Sequence, residues 1–174
     1  MLRASVVARA ETISSLSLAE PLAPAAWRAS LAARRRMWLD MLGLWPLPPR
    51  TPLRETVTGV LDRGGYAVEK VHFQSVPGAY VPGNLYRPAR GAGRRPAILY
   101  LCGHTKGKVA PLYQQHPRWF ACNGYVALVL DPIQLGESQG VHHGTYFHDR
   151  WDWISRGYTP AGTEVWNAMR ALDY

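Results

Sequence analysis

Two short stretches constrain the fold of this chain more than anything else in it: "PAILYLCG" at 96–103 and "GYVALVLD" at 124–131. Each is a continuous apolar run rather than an alternation, the pattern of strands buried on both faces of a sheet. Between them "APLYQQHPRWFAC", residues 110–122, has helix length, with Pro117 as its expected point of interruption. Strand, helix and strand in that order predict a parallel pair joined by a crossover.

Upstream the pattern differs. Residues 24–43 read as a helix with Trp27, Leu31, Trp38 and Leu42 on one face, Pro24 at its start and Gly43 at its stop. The prolines of "LWPLPPRTP" then exclude regular structure. "ETVTGVLDR" and "YAVEKVHFQS" flank Gly64-Gly65 as a hairpin, and "YVPGNLYRP" follows as a short strand in which Pro82 signals an edge or a bulge. Downstream of Asp131 about thirty residues show no period, longer than an ordinary connection. A last helix is expected to begin near Thr163, with Val165, Met169 and Leu172 on one face. A right-handed crossover would return that helix to a further parallel strand, and the chain is expected to break off within this unit.

The fold class is therefore α/β: antiparallel leading strands, then parallel strands with crossover helices. Residues 1–50 form a helical extension and residues 51–174 an incomplete α/β domain. With 174 residues, 47% hydrophobic and 18% charged, the chain can bury a core. No run has the length of a membrane span. Arg9 and Glu11 interrupt any signal-peptide core, so the default expectation is cytoplasmic, without a membrane partner. The net charge of +8 raises nucleic acid as a partner. Seventeen of the twenty basic residues are Arg, though, and they are scattered, as at 34–36 and from Arg87 to Arg95, with no aromatic-interleaved stripe. A nucleic-acid role is not expected. Cys102 and Cys122 are expected to be buried thiols rather than a disulfide.

Three segments in fixed order, "PAILYLCGHTKGK", "GYVALVLDPIQLGES" and "SRGYTPAGTEVWNAMRALDY", resemble the N-terminal half of an α/β-hydrolase. More narrowly, the chain is similar to the acetylxylan-esterase-like branch, which shares the helical extension and a segment like "TVTGVLDRGGYAVEKVHFQSVPGAYVPGNLYRP". The resemblance covers about residues 30–174. It implies a serine esterase of small-molecule or carbohydrate esters, using no cofactor and no metal. It also implies that the loop after the third strand of that fold donates to the oxyanion hole, with the N–H of His104 as candidate and Thr105 as the neighbouring alternative.

Residues 136–140, "GESQG", match the Gly-x-Ser-x-Gly pattern of the nucleophile elbow. An elbow needs a strand running directly into the first Gly and a helix leaving after the second. Here "PIQL" intervenes before it and "VHHGTYFHD" carries no helical period after it. The hydrolase order is Ser, acid, His, yet no acidic residue separates Ser138 from His142, His143 or His148, and no His follows Asp149, Asp152, Glu164 or Asp173. By resemblance the elbow, the acid and the general-base His would follow Tyr174. The 174 residues alone are expected to be inactive, and a non-catalytic protein retaining the half-fold is the alternative. His142, His143, His148, Asp149 and Asp152 lack the framed spacing of a metal site. Trp151 and Trp153 are the candidate pocket-lining residues.

Overall fold

A computed structural model describes residues 2–17, 23–91, 93–141, 149, 153 and 155–174. These fall into two units, Met1–Trp38 and Leu39–Tyr174. The first holds α1 (Leu2–Ser17) and most of α2 (Pro24–Met41). Pro24 opens α2, where a missing N–H is harmless. Trp27, Leu31 and Trp38 stay about half exposed, and the Arg34 guanidinium stacks 4.8 Å from the Trp27 ring centroid. The α1 helix escapes sequence reading because it has no apolar face: residues 2–16 are all exposed.

In the second unit the elements run β1 (Thr56–Asp62), β2 (Tyr66–Val76), β3 (Ala79–Pro88), β4 (Ala97–Leu101), α3 (Pro111–Cys122), β5 (Val126–Leu130) and α4 (Pro160–Ala171). The sheet order is β1-β2-β3-β5-β4. The β1–β2 pair is antiparallel, as the Gly64-Gly65 signal predicts, the β2–β3 pair is antiparallel too, and β4 runs parallel to β5 from Ala97 opposite Val126 to Leu101 opposite Leu130. The expected crossover is present. Alternate residues of β5 feed the two faces: Ala127 and Val129 pack with Ala121 of α3, while Leu128 and Leu130 pack with Phe73 and Ala171 of α4. That two-sided burial is why the run reads as continuously apolar.

Four details depart from the sequence reading. Pro117 does not interrupt α3; its ring is fully buried and the helix continues to Cys122. Pro82 lies on no bulge, and β3 is an internal strand, although its ladder to β5 covers only Gly83–Tyr86 and ends just before Pro82. One residue beyond the last paired positions, Gly83 and Leu130, the Asp131 N–H donates to the Pro82 carbonyl at 3.2 Å. The return bond of that rung needs a proline N–H that does not exist, so the ladder stops there. Third, β4 is not covered on both sides. Among the described residues it is the sheet's last strand, with Ala97 and Leu101 exposed.

The fourth concerns α4, which begins at Pro160 rather than near Thr163. The Thr159 hydroxyl accepts from Gly162 N at 2.9 Å, an N-cap bond, and donates to the Leu42 carbonyl at 2.8 Å. Gly162 has a steric reason as well: a Cβ there would come within 2.0 Å of the Leu42 oxygen. The "TPAG" run thus clamps the start of α4 onto the chain that follows α2. Trp166 extends the clamp, donating Nε1–H to the Ser75 carbonyl at 3.1 Å and packing on Leu39 and Leu44.

We expect Gly162→Ala to lower unfolding stability by about 2 kcal/mol or more, since backbone must move to admit the methyl. Thr159→Ala should lose about 1 kcal/mol, the value of one cap. Urea denaturation midpoints compare the two.

Candidate functional site

The loops that leave the C-terminal ends of β4 and β5 lie side by side and are held by one carboxylate. Asp131, the first residue past β5, has a completely buried side chain. One oxygen accepts from Lys108 N at 2.7 Å, and the other accepts from Glu137 N at 2.9 Å and from Lys108 Nζ. Lys108, 3% exposed, also donates to Glu137, whose side chain is 73% exposed. A buried ammonium requires such partners, because an unpaired charge there would be very costly to desolvate. Two glycines make room. At Gly107 (φ 76°) a Cβ would lie 2.4 Å from the Asp131 carboxylate, and at Gly136 (φ 60°) it would lie equally close. Gly136 of "GESQG" is thus needed for the space and backbone turn beside Asp131. Sequence reading missed this tie, since Lys108, Asp131 and Glu137 carry no local pattern.

Past β4, Gly103 N–H donates to the Tyr113 hydroxyl at 2.7 Å, anchoring the loop to α3. Tyr100 packs edge-on against Tyr113 and bonds His116 Nδ1 at 2.5 Å. His104 and Thr105 are exposed at the loop's tip. The Thr105 N–H turns back to the Gly103 carbonyl at 3.0 Å. The N–H of Thr105, the alternative oxyanion donor, is thus engaged within the loop. Ser138 stands in a turn, its N–H bonded to the Leu135 carbonyl at 3.1 Å. The strand before it ends at Leu130, six residues short of Gly136.

Two cavities adjoin these loops. One of about 490 Å³ is lined by Tyr80, Ile133, Ser138, Trp153, Tyr158 and Trp166 among others. Trp153 therefore sits on a cavity wall, while Trp151 lies outside the described residues. The second, about 330 Å³, is an apolar groove between Leu101 of β4, Leu130 of β5, Val165 and Met169 of α4, and Leu172 just after that helix. The face of α4 expected to be apolar borders this groove, and the helix buries Trp166 and Arg170 instead. Asn167 borders both cavities, and its buried Oδ1 has no hydrogen-bond partner among the described residues. Sequence reading had no reason to single it out.

His142, His143, His148 and Asp152 lie outside the described residues; Asp149 is described, with φ 52°. Among the described residues no cluster of His, Cys, Asp or Glu could hold a metal ion. No described helix is long and apolar enough to cross a membrane. Both cysteines are unbonded, but Cys122 is exposed rather than buried, because it ends α3 on the solvent side. Cys102 is half buried; burial first, then the nearby Asp131 carboxylate, pushes its thiol up to about 12.

No protein-family profile matches the chain, and no curated protein matches it either. Solved structures do. A provisionally assigned acetyl xylan esterase from Bacteroides fragilis NCTC 9343 superposes with a TM-score of 0.68 at 20% identity, over 87% of this chain and 44% of its own. Methylesterase BT1017 follows with a TM-score of 0.58 at 26% identity, over 81% of this chain and 29% of its own. An acetyl xylan esterase from Paenibacillus sp. R4 gives 0.54 at 18% identity, over 79% and 44%. The fold is that of the α/β-hydrolase esterases, as the sequence motifs imply, and the chain spans less than half the length of these structures.

Replacing Asp131 by Asn should destabilise the unit by about 3 kcal/mol or more, leaving a buried ammonium with only Glu137. Glu137→Gln, at an exposed partner, should change stability by under about 1 kcal/mol. Thermal and urea unfolding of both variants check the contrast. Iodoacetamide should label Cys122 at pH 8 and spare Cys102, whose thiolate forms only as the pH approaches about 12. Peptide mass spectrometry across a pH series reads this directly.

Proposed function

We propose that this chain supplies the oxyanion side of a serine-dependent carboxylic-ester hydrolase of the acetylxylan-esterase kind. Its nucleophile, acid and general base would come from polypeptide outside these 174 residues. The observation that carries this reading is the outer edge of β4, which no described strand covers. Both positions beside β5 are filled, by β3 and β4, so a strand returning from α4 by a right-handed crossover can join in parallel only at that outer edge. Leu101, Leu130, Val165 and Met169 already line an apolar groove beside it.

A parallel strand in that position would end on the same side of the sheet as β4, next to the loop carrying His104. A serine at its tip would attack the ester carbonyl, passing its proton to a base. The His104 N–H would help hold the tetrahedral oxyanion, and the alcohol would leave with a proton. Water would then cleave the acyl-enzyme to the free acid and regenerate the serine. The acetyl xylan esterases among the similar structures favour an acetyl ester of a carbohydrate as substrate. Ser138 has no part in this chemistry, being neither at a strand end nor before a described helix.

The 174-residue protein should hydrolyse p-nitrophenyl acetate no faster than its Ser138→Ala variant. Turnover that disappears with that substitution would overturn the proposal. The reading frame beyond the codon for Tyr174 offers an independent check. A strand leading into Gly-x-Ser-x-Gly is expected within about fifteen to twenty-five residues, allowing for a short loop and a strand of ordinary length. A stop codon there would instead favour a binding protein that keeps the half-fold.

A further inference from the structure

A cleft of about 710 Å³ between α3 and the sheet is not used by the proposed ester chemistry. Its floor is the α3 face of β2 and β3. Tyr66, Val68 and Lys70 alternate on one face of β2, and their partners Tyr86 and Asn84 lie opposite Val68 and Lys70 on β3. One wall is α3, through Gln114, Gln115 and Arg118. Arg63, from the turn after β1, closes the end beside Tyr66. Tyr66 and Lys70 are four residues apart on one strand, so the cleft extends about 13 Å along β2.

Three features restrict what could fill it. First, the half-exposed Tyr66 ring stacks on the buried Tyr86, with centroids 6.2 Å apart and planes within 15°. The floor therefore presents a fixed aromatic surface. Second, Arg63, Lys70 and Arg118 are exposed and have no ion-pair partner among the described residues, while Lys108 at the far end is spent on Asp131 and Glu137. Burial pushes the Tyr86 hydroxyl up to about 12, so no phenolate answers those cations at neutral pH. Third, β2 and β3 are each paired on both sides, leaving no backbone edge in the floor for an extended peptide to add to. Arg63, beside Tyr66, and Lys70, four residues further along β2, stand toward opposite ends of the cleft, unlike the clustered charge of a polyphosphate pocket.

We propose that this cleft binds an acidic saccharide, a short chain of sugar rings bearing carboxylates. One ring would pack on Tyr66, the carboxylates would meet Arg63, Lys70 and Arg118, and Asn84 and Gln114 would bond ring hydroxyls. The site needs no ester turnover, so its test is separate from that of the proposed function.

The test is isothermal titration of the 174-residue protein with tetragalacturonic acid, neutral xylotetraose and ATP. Tetragalacturonic acid should bind saturably and more weakly as salt rises. The exposed-site double variant Arg63→Gln/Arg118→Gln should keep the circular dichroism spectrum and melting temperature of the parent while weakening binding by about tenfold or more. Tyr66→Ala should weaken it as well. The proposal is overturned if the acid shows no saturable binding, if xylotetraose binds as tightly, if ATP binds more tightly, or if the double variant binds unchanged.

Discussion

The geometry of the sheet's C-terminal end depends on the buried carboxylate of Asp131. It takes hydrogen bonds from two loops that are distant in sequence, at Lys108 and at Glu137, and so fixes their relative position. A charge this deep is tolerated because its counter-charge is covalently placed: Lys108 sends both its backbone N–H and its ammonium to the same group. The glycines at 107 and 136 follow from this, since a side chain at either would occupy the carboxylate's volume. The segment carrying His104 lies between the Gly103–Tyr113 bond and the Lys108–Asp131 pair, so both of its ends are tied to rigid structure.

The two margins of the sheet are treated differently. β1 is irregular at Val57–Gly59, and a register shift of that kind discourages pairing with another strand. β4 has a regular ladder, no charge, no proline and no bulge in "AILYL", and Leu101 is 60% exposed. An apolar parallel strand is ordinarily covered on both sides. β1 has the marks of a terminal strand and β4 those of an internal one, which is why the proposed function turns on that edge.

Much of the fold was legible because burial leaves a period in the sequence. β5 reads as a strand from "VALVL" alone, and Gly64-Gly65 marks the hairpin through the backbone freedom it supplies. The start of α4 was not legible: "TPAG" resembles a turn until the Leu42 carbonyl is known to occupy the space above Gly162. The exposure of β4 was illegible for the opposite reason, since composition reports what a strand is suited to rather than what lies beside it. Of the candidate site, the loop bearing His104 and Thr105 was reached through resemblance, and Ser138 was set aside on local grounds. The Lys108–Asp131 pair and Asn167 were beyond reach. Their significance lies in contacts between segments far apart in the chain.

Pro82 shows how far such a contact can act. Because its ring nitrogen carries no hydrogen, the rung it shares with Asp131 is only half made, and the handover from sheet to loop in β5 is set from β3. The boundary is written into the neighbouring strand. Sequence drift at position 82 would therefore appear as displacement of the Asp131 loop, far from the substituted residue along the chain though in contact with it, while β3 itself could stay intact.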